Sequence, residues 1–594
     1  MNIKSLKALN KYFIKYKYRL ILGAIFITIS NVFAVLPPRI IKNVMDDVYK
    51  NVEIYTHLTD TTLAGILRSD VMSLVMWNGM LLILFAILRG VFMFFMRQTI
   101  IVMSRHIEYD QKNEVYDKYQ NLSLSFFKSH KTGDLMSRIS EDVSRVRMYT
   151  GPAIMYGMNL VVLTILCVYN MVQENAMLTL YVLAPMPILA FTIFYVNKII
   201  NRKSEKIQAN LSNVTSKAQE TYAGIRVIKS FHHEEVVMDS FKEVSAEYKK
   251  SNINLALTEA VYGPAMGLFT GLSILITILV GGYQVINGVM TPGSIAEFII
   301  YITMLTFPIS AIGFTANMIQ RAAVSQRRIN EFLDAETDIT NSPNPIAHDI
   351  QGEIVFEDVT FVYPHTGIEA LKNFNLTIKK GEKVAIMGKT GSGKSTLMHL
   401  LLRMYDVTSG VIKIDGIPIK ELDYQQLRKQ ISYVPQEVFL FSDTVANNIA
   451  LGVDKEMDKV RHAAQLACVD KEILGLSDGY ETVTGERGVM LSGGQKQRIS
   501  IARALYKEPE LLFMDDSLSA VDSKTESTIQ QNLQTVLQNK TSLIISHRIF
   551  KNWDFDKIII LEKGAIIEQG NHDELMQKDG YYAKLYRYQT EEEQ

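Results

Sequence analysis

Residues 383–402 read Lys-Val-Ala-Ile-Met-Gly-Lys-Thr-Gly-Ser-Gly-Lys-Ser-Thr-Leu-Met-His-Leu-Leu-Leu. A short β-type run, Lys383–Met387, stops at a glycine. The loop Gly388, Lys389, Thr390, Gly391, Ser392, Gly393, Lys394, Ser395 and Thr396 comes next, and an apolar helical pattern runs from Leu397 to Leu402. Strand, glycine-rich loop and helix in that order are the setting of a phosphate-binding loop. The glycines let the backbone curl so that successive N–H groups point at phosphate oxygens, and the helix N-terminus adds its dipole. Lys394 then meets the β- and γ-phosphates of a nucleotide, and Ser395 binds Mg²⁺. The pattern predicts an α/β nucleotide-binding core.

Downstream, Leu511-Leu512-Phe513-Met514-Asp515-Asp516 is an apolar strand ending in two carboxylates. Asp515 is the candidate for holding Mg²⁺ through water, and Asp516 for polarising the attacking water. Around these two segments lie Tyr363, Tyr433-Val434-Pro435-Gln436, Gly485-Glu486-Arg487-Gly488, Leu491-Ser492-Gly493-Gly494-Gln495, Ser519-Ala520-Val521-Asp522 and Ser546-His547-Arg548. In this order the motifs resemble those of the ATP-binding cassette family. The resemblance implies ATP as the nucleotide and an α/β P-loop NTPase cassette with a helical subdomain. It implies that Ser492, Gly493, Gly494 and Gln495 form the signature that contacts ATP, and that Tyr363 stacks on adenine. It makes Gln436 the Q-loop residue, a Mg²⁺ ligand with Ser395 and Asp515, and His547 the switch histidine. Asp516, His547 and Gln436 form the implied catalytic set. Ser519–Asp522 resembles the D-loop and Gly485–Gly488 the exporter-specific X-loop.

Upstream the character reverses. Apolar runs of about 20 residues, the length that crosses a bilayer as a helix, crowd into the first 316 residues: Leu20–Leu36, Val71–Met96, Gly151–Val172, Leu178–Ile199, Pro264–Ile286 and Ser294–Ala316. Six spans are expected, the first ending at Pro37-Pro38. Six Lys or Arg residues precede the first span, nine separate the second from the third, and ten lie between Lys198 and Lys250, whereas residues 46–70 carry only Lys50 and Arg68. Basic loops stay inside, so both termini, the two long connections and everything after the sixth span are expected in the cytoplasm. Arg89 is an intramembrane charge that points to a pathway, an ion pair or a snorkelling side chain. Glu297, at the start of span six, reads as interfacial.

Six spans ahead of one cassette resemble a half-transporter of the exporter type. Phe126–Arg138 resembles its first cytoplasmic loop and Glu220–Phe231 its second, the loops that touch the cassettes. The expected organisation is a six-helix transmembrane domain over residues 1–330, a linker over 331–350, rich in Asn, Pro and Asp, and a cassette over 351–594. In this family ATP is sandwiched between the P-loop of one subunit and the signature of another, so the resemblance implies a dimer. Asp516 stands where most members carry glutamate, one methylene longer. Two readings result: a homodimer with two slow sites, which the intact remaining motifs favour, or a heterodimer whose second half-transporter supplies the glutamate.

The chain has 62 basic and 62 acidic side chains among 594 residues, and this balance leaves no electrostatic basis for a nucleic-acid partner. Two cysteines, Cys167 and Cys468, suggest neither a disulfide framework nor a cysteine metal site. The expected activity is ATP-driven export or flipping of amphipathic small molecules or lipids, in the manner of multidrug exporters and lipid flippases, from a bacterial-type plasma or inner membrane. The alternative is a nucleotide-gated channel or membrane regulator; the scarcity of charge in the spans favours the exporter.

Overall fold

A computed structural model describes residues 3–57, 61–549 and 553–591. The chain divides into two compact units, Met1–Lys118 with Gly133–Ala335, and Tyr119–Thr132 with Glu336–Gln594.

The first unit is helical. Its long helices are α1 (Lys17–His57), α2 (Thr61–Asn121), α3 (Ile154–Leu183), α4 (Pro185–Ala223), α5 (Glu234–Glu259), α6 (Tyr262–Ile276) and α7 (Pro292–Leu333). Among the described residues, five stretches of helix are by length and composition able to cross a membrane: Lys17–Val52, Arg68–Asn121, Thr132–Leu183, Glu234–Ile286 and Pro292–Leu333. The fourth apolar run of the sequence, Leu178–Ile199, is instead shared between α3 and α4, which meet at Ala184. Pro185 starts α4, where its missing N–H is tolerated, and Asn197 and Lys198 dilute the rest of the run.

Between the third and fourth apolar runs the helix kinks: Asn175 is extended (φ −160°, ψ 106°), and its Oδ1 accepts from Leu178 N at 2.9 Å, capping the second limb. Contrary to expectation, α1 does not stop at Pro37-Pro38 but continues to His57. Proline pairs persist in membrane helices because neighbouring helices re-satisfy the freed carbonyls.

Phe298, Tyr301 and Ile302 of α7 pack with Cys167, Leu178 and Val182 of α3 in a buried cluster. Glu297 is buried within the first unit, only 2% exposed, beside Glu174 and Lys42. Towards the end of α7, Arg328 bonds Asp134 and reaches Asp142 at 2.9 Å, while Ser325 Oγ donates to Asp142 at 2.7 Å. The segment 134–142 is thereby tied to the last long helix.

The second unit carries two sheets. One is antiparallel, in the order β2 (Glu369–Ile378), β1 (Ile354–Val362), β4 (Ser409–Ile414), β5 (Ile417–Pro418). The other runs β10 (Ala565–Gly570), β9 (Lys557–Glu562), β3 (Lys383–Gly388), β8 (Thr541–Ile545), β7 (Leu511–Asp515), β6 (Ile431–Val434). Pairs β9–β3–β8–β7–β6 are parallel and only β10–β9 is antiparallel. All five residues of β7 are buried, as a continuous apolar run in a doubly covered parallel sheet requires. In β2, Phe374, Leu376 and Ile378 alternate with exposed residues, the expected period of two.

Helices α8 (Lys394–Leu401), α9 (Gly493–Tyr506), α10 (Ser523–Val536) and α11 (Tyr581–Glu591) complete the frame of this unit. Leu397 and Leu401 of α8 share a core with Phe356, Phe374 and Phe513, whereas Ile499 and Ala502 of α9 belong to a second core with Val460, Ala464 and Tyr480. The P-loop helix and the signature helix thus stand in different cores.

Residues 119–132 cluster with this unit. Leu124, opening the short helix Leu124–Ser129, packs on the core of Phe356 and Leu397, and Ser123 Oγ donates to Asp338 at 3.4 Å. Burial pushes the His399 imidazole below its ordinary pKa, and the nearby Lys128 charge adds to the effect.

Candidate nucleotide-binding site

The loop after β3 takes its shape from positions that only glycine fits. Gly388 has φ 143°, and a Cβ there would lie 2.2 Å from Leu561 O; Gly393 has φ 102°, and its Cβ would meet Ala370 O at 2.4 Å. Both sites exclude a side chain on conformational and steric grounds. The backbone therefore curls, and Lys394 begins α8 with its Nζ donating to Gly388 O and Lys389 O, each at 2.9 Å. Burial lowers the ammonium's pKa, and the charges of Asp515 and Asp516 oppose the shift. Ser392 is 4% exposed and its Oγ has no hydrogen-bond partner among the described residues. An orphaned buried hydroxyl and an ammonium fixed at a helix start form the donor set a phosphate chain takes.

Asp515 ends β7 opposite Ile545 of β8 and accepts a hydrogen bond from Ser395. Burial raises its carboxyl above the ordinary carboxylate range; the Ser395 bond and the charges of Lys394 and His547 work the other way. Tyr433 of β6 also bonds this carboxylate. A hydroxyl and a carboxylate already in contact are oxygen ligands of the hard kind that Mg²⁺ prefers. The structure thus brings Ser395 and Asp515 together. Gln436 lies exposed beyond β6, after Pro435, and among the described residues is hydrogen-bonded to neither.

Asp516 comes next in the left-handed region, φ 44°. Its N–H donates to Ile545 O at 2.9 Å, and its carbonyl accepts from Ser519 Oγ at 3.0 Å, so both sides of the residue are held. Aspartate tolerates this conformation better than most side chains. That backbone requirement favours the short acid here, a point not visible in the sequence.

His547 is exposed after β8. Gln589 of α11 holds its loop from both sides: Gln589 Nε2 donates to His547 O at 3.0 Å and Ile549 N donates to Gln589 Oε1 at 2.9 Å. Nothing in the sequence around Gln589 signals this role.

Tyr363 OH and Thr396 Oγ1 are 2.9 Å apart, and the Tyr363 ring meets Phe361 and Tyr405 edge-on at 4.8 and 5.5 Å. The aromatic expected to stack on adenine is therefore joined to the P-loop helix. Lys389 and Thr390 are exposed, and Lys389 pairs loosely with Glu562 at 3.5 Å.

The signature is built otherwise. Ser492 caps α9: its Oγ accepts from Gln495 N at 3.3 Å and its N–H donates to Gln495 Oε1 at 2.9 Å, a reciprocal capping box. Gln495 Nε2 reaches Glu472 at 3.0 Å, and Arg498 grips the same carboxylate at 2.6 and 2.9 Å. Further along the helix, Gln497 Oε1 accepts from Ala520 N at 3.0 Å, tying the signature helix to the Ser519–Asp522 turn. Ser492 and Gly493 themselves are exposed. In Gly485–Gly488 the side chain of Arg487 lies outside the described residues.

Residues 20–309 match the ABC transporter transmembrane region, and residues 371–519 match the ABC transporter family. The multidrug resistance-like ATP-binding protein MdlA of Escherichia coli (strain K12) is 34% identical over 97% of this chain and 95% of its own length. The chain belongs to the ABC transporter family. The transporter is also 33% identical to the ATP-dependent lipid A-core flippase of Syntrophus aciditrophicus (strain SB), over 87% of this chain and 86% of that one. A bacterial Atm1-family ABC exporter, solved with ATP bound, matches it with a TM-score of 0.75 at 26% identity, over 97% of this chain and 98% of that one. The transporter is thus an integral membrane protein with an ABC exporter fold, and its cassette is an ABC ATPase domain.

Proposed function

We propose that the transporter is one half of a dimeric, ATP-driven exporter of amphipathic small molecules or lipids. The observation that carries this reading is the inequality within its own cassette: a P-loop whose Lys394 is buried and bonded to its own loop beside the buried Asp515, and an exposed signature on a separate core. Each ATP then takes its phosphate contacts from Lys394 and the loop residues Gly388–Thr396 of one subunit, and closes against Ser492, Gly493, Gly494 and Gln495 of the other. Tyr363 packs on the adenine ring. The multidrug and lipid A-core names of its relatives support amphipathic or lipid cargo.

Ser395, Asp515 and Gln436 would hold Mg²⁺, whose charge offsets that of the phosphates. Asp516 orients the attacking water and takes its proton, and His547, held by Gln589, faces the same phosphate. ATP favours the closed cassettes because only they offer both sets of contacts, and this differential affinity drives the cycle.

The second cytoplasmic loop supports a dimer. Around the short helix Ile225–Ser230, Tyr222 and Phe231 are 75% and 77% exposed, an apolar surface suited to a second copy's cassette. Within each copy, residues 1–330 form the six-span domain, 331–350 the linker and 351–594 the cassette. Both termini and the cassette face the cytoplasm of a bacterial inner membrane.

The test is uptake of a fluorescent amphipathic dye by inside-out proteoliposomes. ATP should drive accumulation against a gradient, and Lys394→Ala should abolish it. Flux that ATP gates but never drives uphill would replace the exporter with the channel reading.

A further inference from the structure

A cavity of about 360 Å³ lies within the second unit, at the small end of the range of ligand cavities. Leu122 and Phe127 come to it from the segment 119–132, and Ile339 from the chain just before the cassette. Met404 comes from the turn after α8, and Tyr424 and Arg428 from the short helix Tyr424–Gln430. A molecule in the cavity touches all four pieces of chain at once. Arg428 is the charged group of this lining and is half-buried. Its Nε donates to Leu402 O at 3.0 Å and its Nη2 to Arg403 O at 2.7 Å, the carbonyls just past the end of α8, and its guanidinium lies over the Tyr424 ring, 4.9 Å from the centroid. Two of its three nitrogens are thus fixed by backbone. The third, Nη1, bonds none of the described residues and keeps both N–H donors.

Cations outnumber carboxylates around this arginine. Arg403, only 3% exposed, directs its Nε to Asp406 at 3.3 Å and its Nη2 to Thr340 O at 2.8 Å, while its Nη1 is sealed without a hydrogen-bond partner among the described residues. Lys420 approaches the same Asp406 at 3.7 Å. The carboxylates of Asp338 and Asp423 are turned elsewhere, accepting from Ser123 Oγ at 3.4 Å and from Gln425 N at 2.8 Å, and neither lines the cavity. Burial pushes the Arg428 guanidinium below its ordinary pKa; Tyr424 opposes the shift and the Arg403 charge adds to it. A half-buried cation with a like charge beside it and two unused donors is stabilised by an anion, and the guanidinium fork fits the paired oxygens of a phosphate, sulfonate or carboxylate.

We propose that this cavity binds a compact organic anion, its head on Arg428 Nη1 and its apolar body against Phe127, Ile339 and Met404, and that the bound anion braces the segment 119–132 against the end of the P-loop helix. Arg428 already holds the carbonyls that follow α8, so a ligand at its free edge acts on the helix that begins at Lys394. The site shares no lining residue with the P-loop, Asp515 or the signature, and it stands whatever the transporter carries.

The experiment uses the full chain in phosphatidylcholine nanodiscs, with and without saturating Mg-AMP-PNP, and empty nanodiscs as the blank. Two probes are titrated by fluorine NMR: 4-(trifluoromethyl)phenyl phosphate and the neutral 4-(trifluoromethyl)benzyl alcohol. With the nucleotide present, the phosphate probe should bind about tenfold more tightly than the alcohol. Arg428→Gln should remove that preference, and Arg428→Lys, which keeps a cation, should retain part of it. Ile339→Trp fills the cavity with Arg428 intact, and should weaken both probes by about tenfold or more even where the glutamine variant fails to fold. In the wild-type chain the bound phosphate probe should slow backbone hydrogen exchange in residues 119–132 severalfold. Equal affinity for the two probes, a phosphate preference that persists in Arg428→Gln, undiminished binding in Ile339→Trp, or exchange in 119–132 that ignores the bound probe overturns the proposal. So does absence of binding at millimolar probe, or displacement of the probe by Mg-AMP-PNP, which would put it on the P-loop instead.

Discussion

At the P-loop, Lys394 and Asp515 are 7% and 4% exposed, and both are held by groups of the same chain. At the signature, Ser492 and Gly493 face outward, and the bonds of Ser492 and Gln495 run to each other and to Glu472. Both are helix N-termini, with the same supply of backbone N–H groups and the same dipole. Their surroundings differ. The P-loop encloses its donors in protein and places two carboxylates behind them. The signature is rigidified by its capping box and the Glu472–Arg498 pair, and its Ser492 and Gly493 are exposed. On the proposed reading, one face carries the chemistry and the other meets a nucleotide held by a second subunit.

The sharpest way to break this division is at Asp516. In a homodimer, Asp516→Asn keeps a side chain that tolerates φ 44° while removing the base, so turnover should fall by about 10²–10⁴ with little change in thermal midpoint. Asp516→Glu restores reach but places a longer side chain in the left-handed region, and should lower the midpoint. Substantial turnover by the Asn variant in a complex with a second half-transporter would move the catalytic carboxylate to that partner.

Lys394→Ala comes next. It removes the phosphate contact and also the bonds that hold the loop through Gly388 O and Lys389 O. Mg-ATP affinity should drop about ten- to a hundredfold by equilibrium binding. Unchanged affinity would show that the loop binds no phosphate.

A smaller effect is expected at Gln589. Gln589→Ala frees the His547 loop on both sides and should slow turnover severalfold while leaving ATP affinity intact; Gln589→Glu, which keeps only the acceptor for Ile549 N, should fall between. Equal losses in affinity and turnover would mean that α11 supports the whole cassette rather than this loop.

The smallest effect concerns stability. Because burial raises the Asp515 carboxyl, its ionised form is the less stable one in the fold; the cost is absent below the ordinary carboxylate range and grows as pH rises towards the raised value. At neutral pH, Asp515→Asn should therefore raise the nucleotide-free thermal midpoint by about 1–4 °C, lose that advantage in acid, and abolish turnover. A lowered midpoint at neutral pH would contradict the account.

How much of the fold and site is legible in the sequence depends on the distance over which each requirement acts. The P-loop and the Asp515-Asp516 pair are legible because phosphate and metal binding constrain neighbouring residues, and β2 and β7 carry their burial in their own period. The hold of Gln589 on His547 spans 42 residues and uses an ordinary surface amide, so no local pattern marks it. Arg328, which meets Asp134 and Asp142 from the far end of the first unit, is equally silent. Proline ends helices in water, which predicts a stop of α1 at Pro37-Pro38; within a helical bundle that rule relaxes. At Asp516 the sequence shows a missing methylene, while the positive φ that accommodates aspartate appears only in three dimensions.

The division of labour between the two faces is tested most directly by asking which chain each P-loop meets. Ser392→Cys and Ser492→Cys, on a background with Cys167→Ala and Cys468→Ser, place one thiol in the loop and one on the signature. The Ser392 hydroxyl has no hydrogen-bond partner among the described residues, so its replacement removes no such bond. Under mild oxidation with Mg-ATP, a non-reducing gel should show crosslinked dimers that are absent without nucleotide. Crosslinks confined to single chains, or dimers formed equally well without ATP, would contradict a site completed by a second subunit.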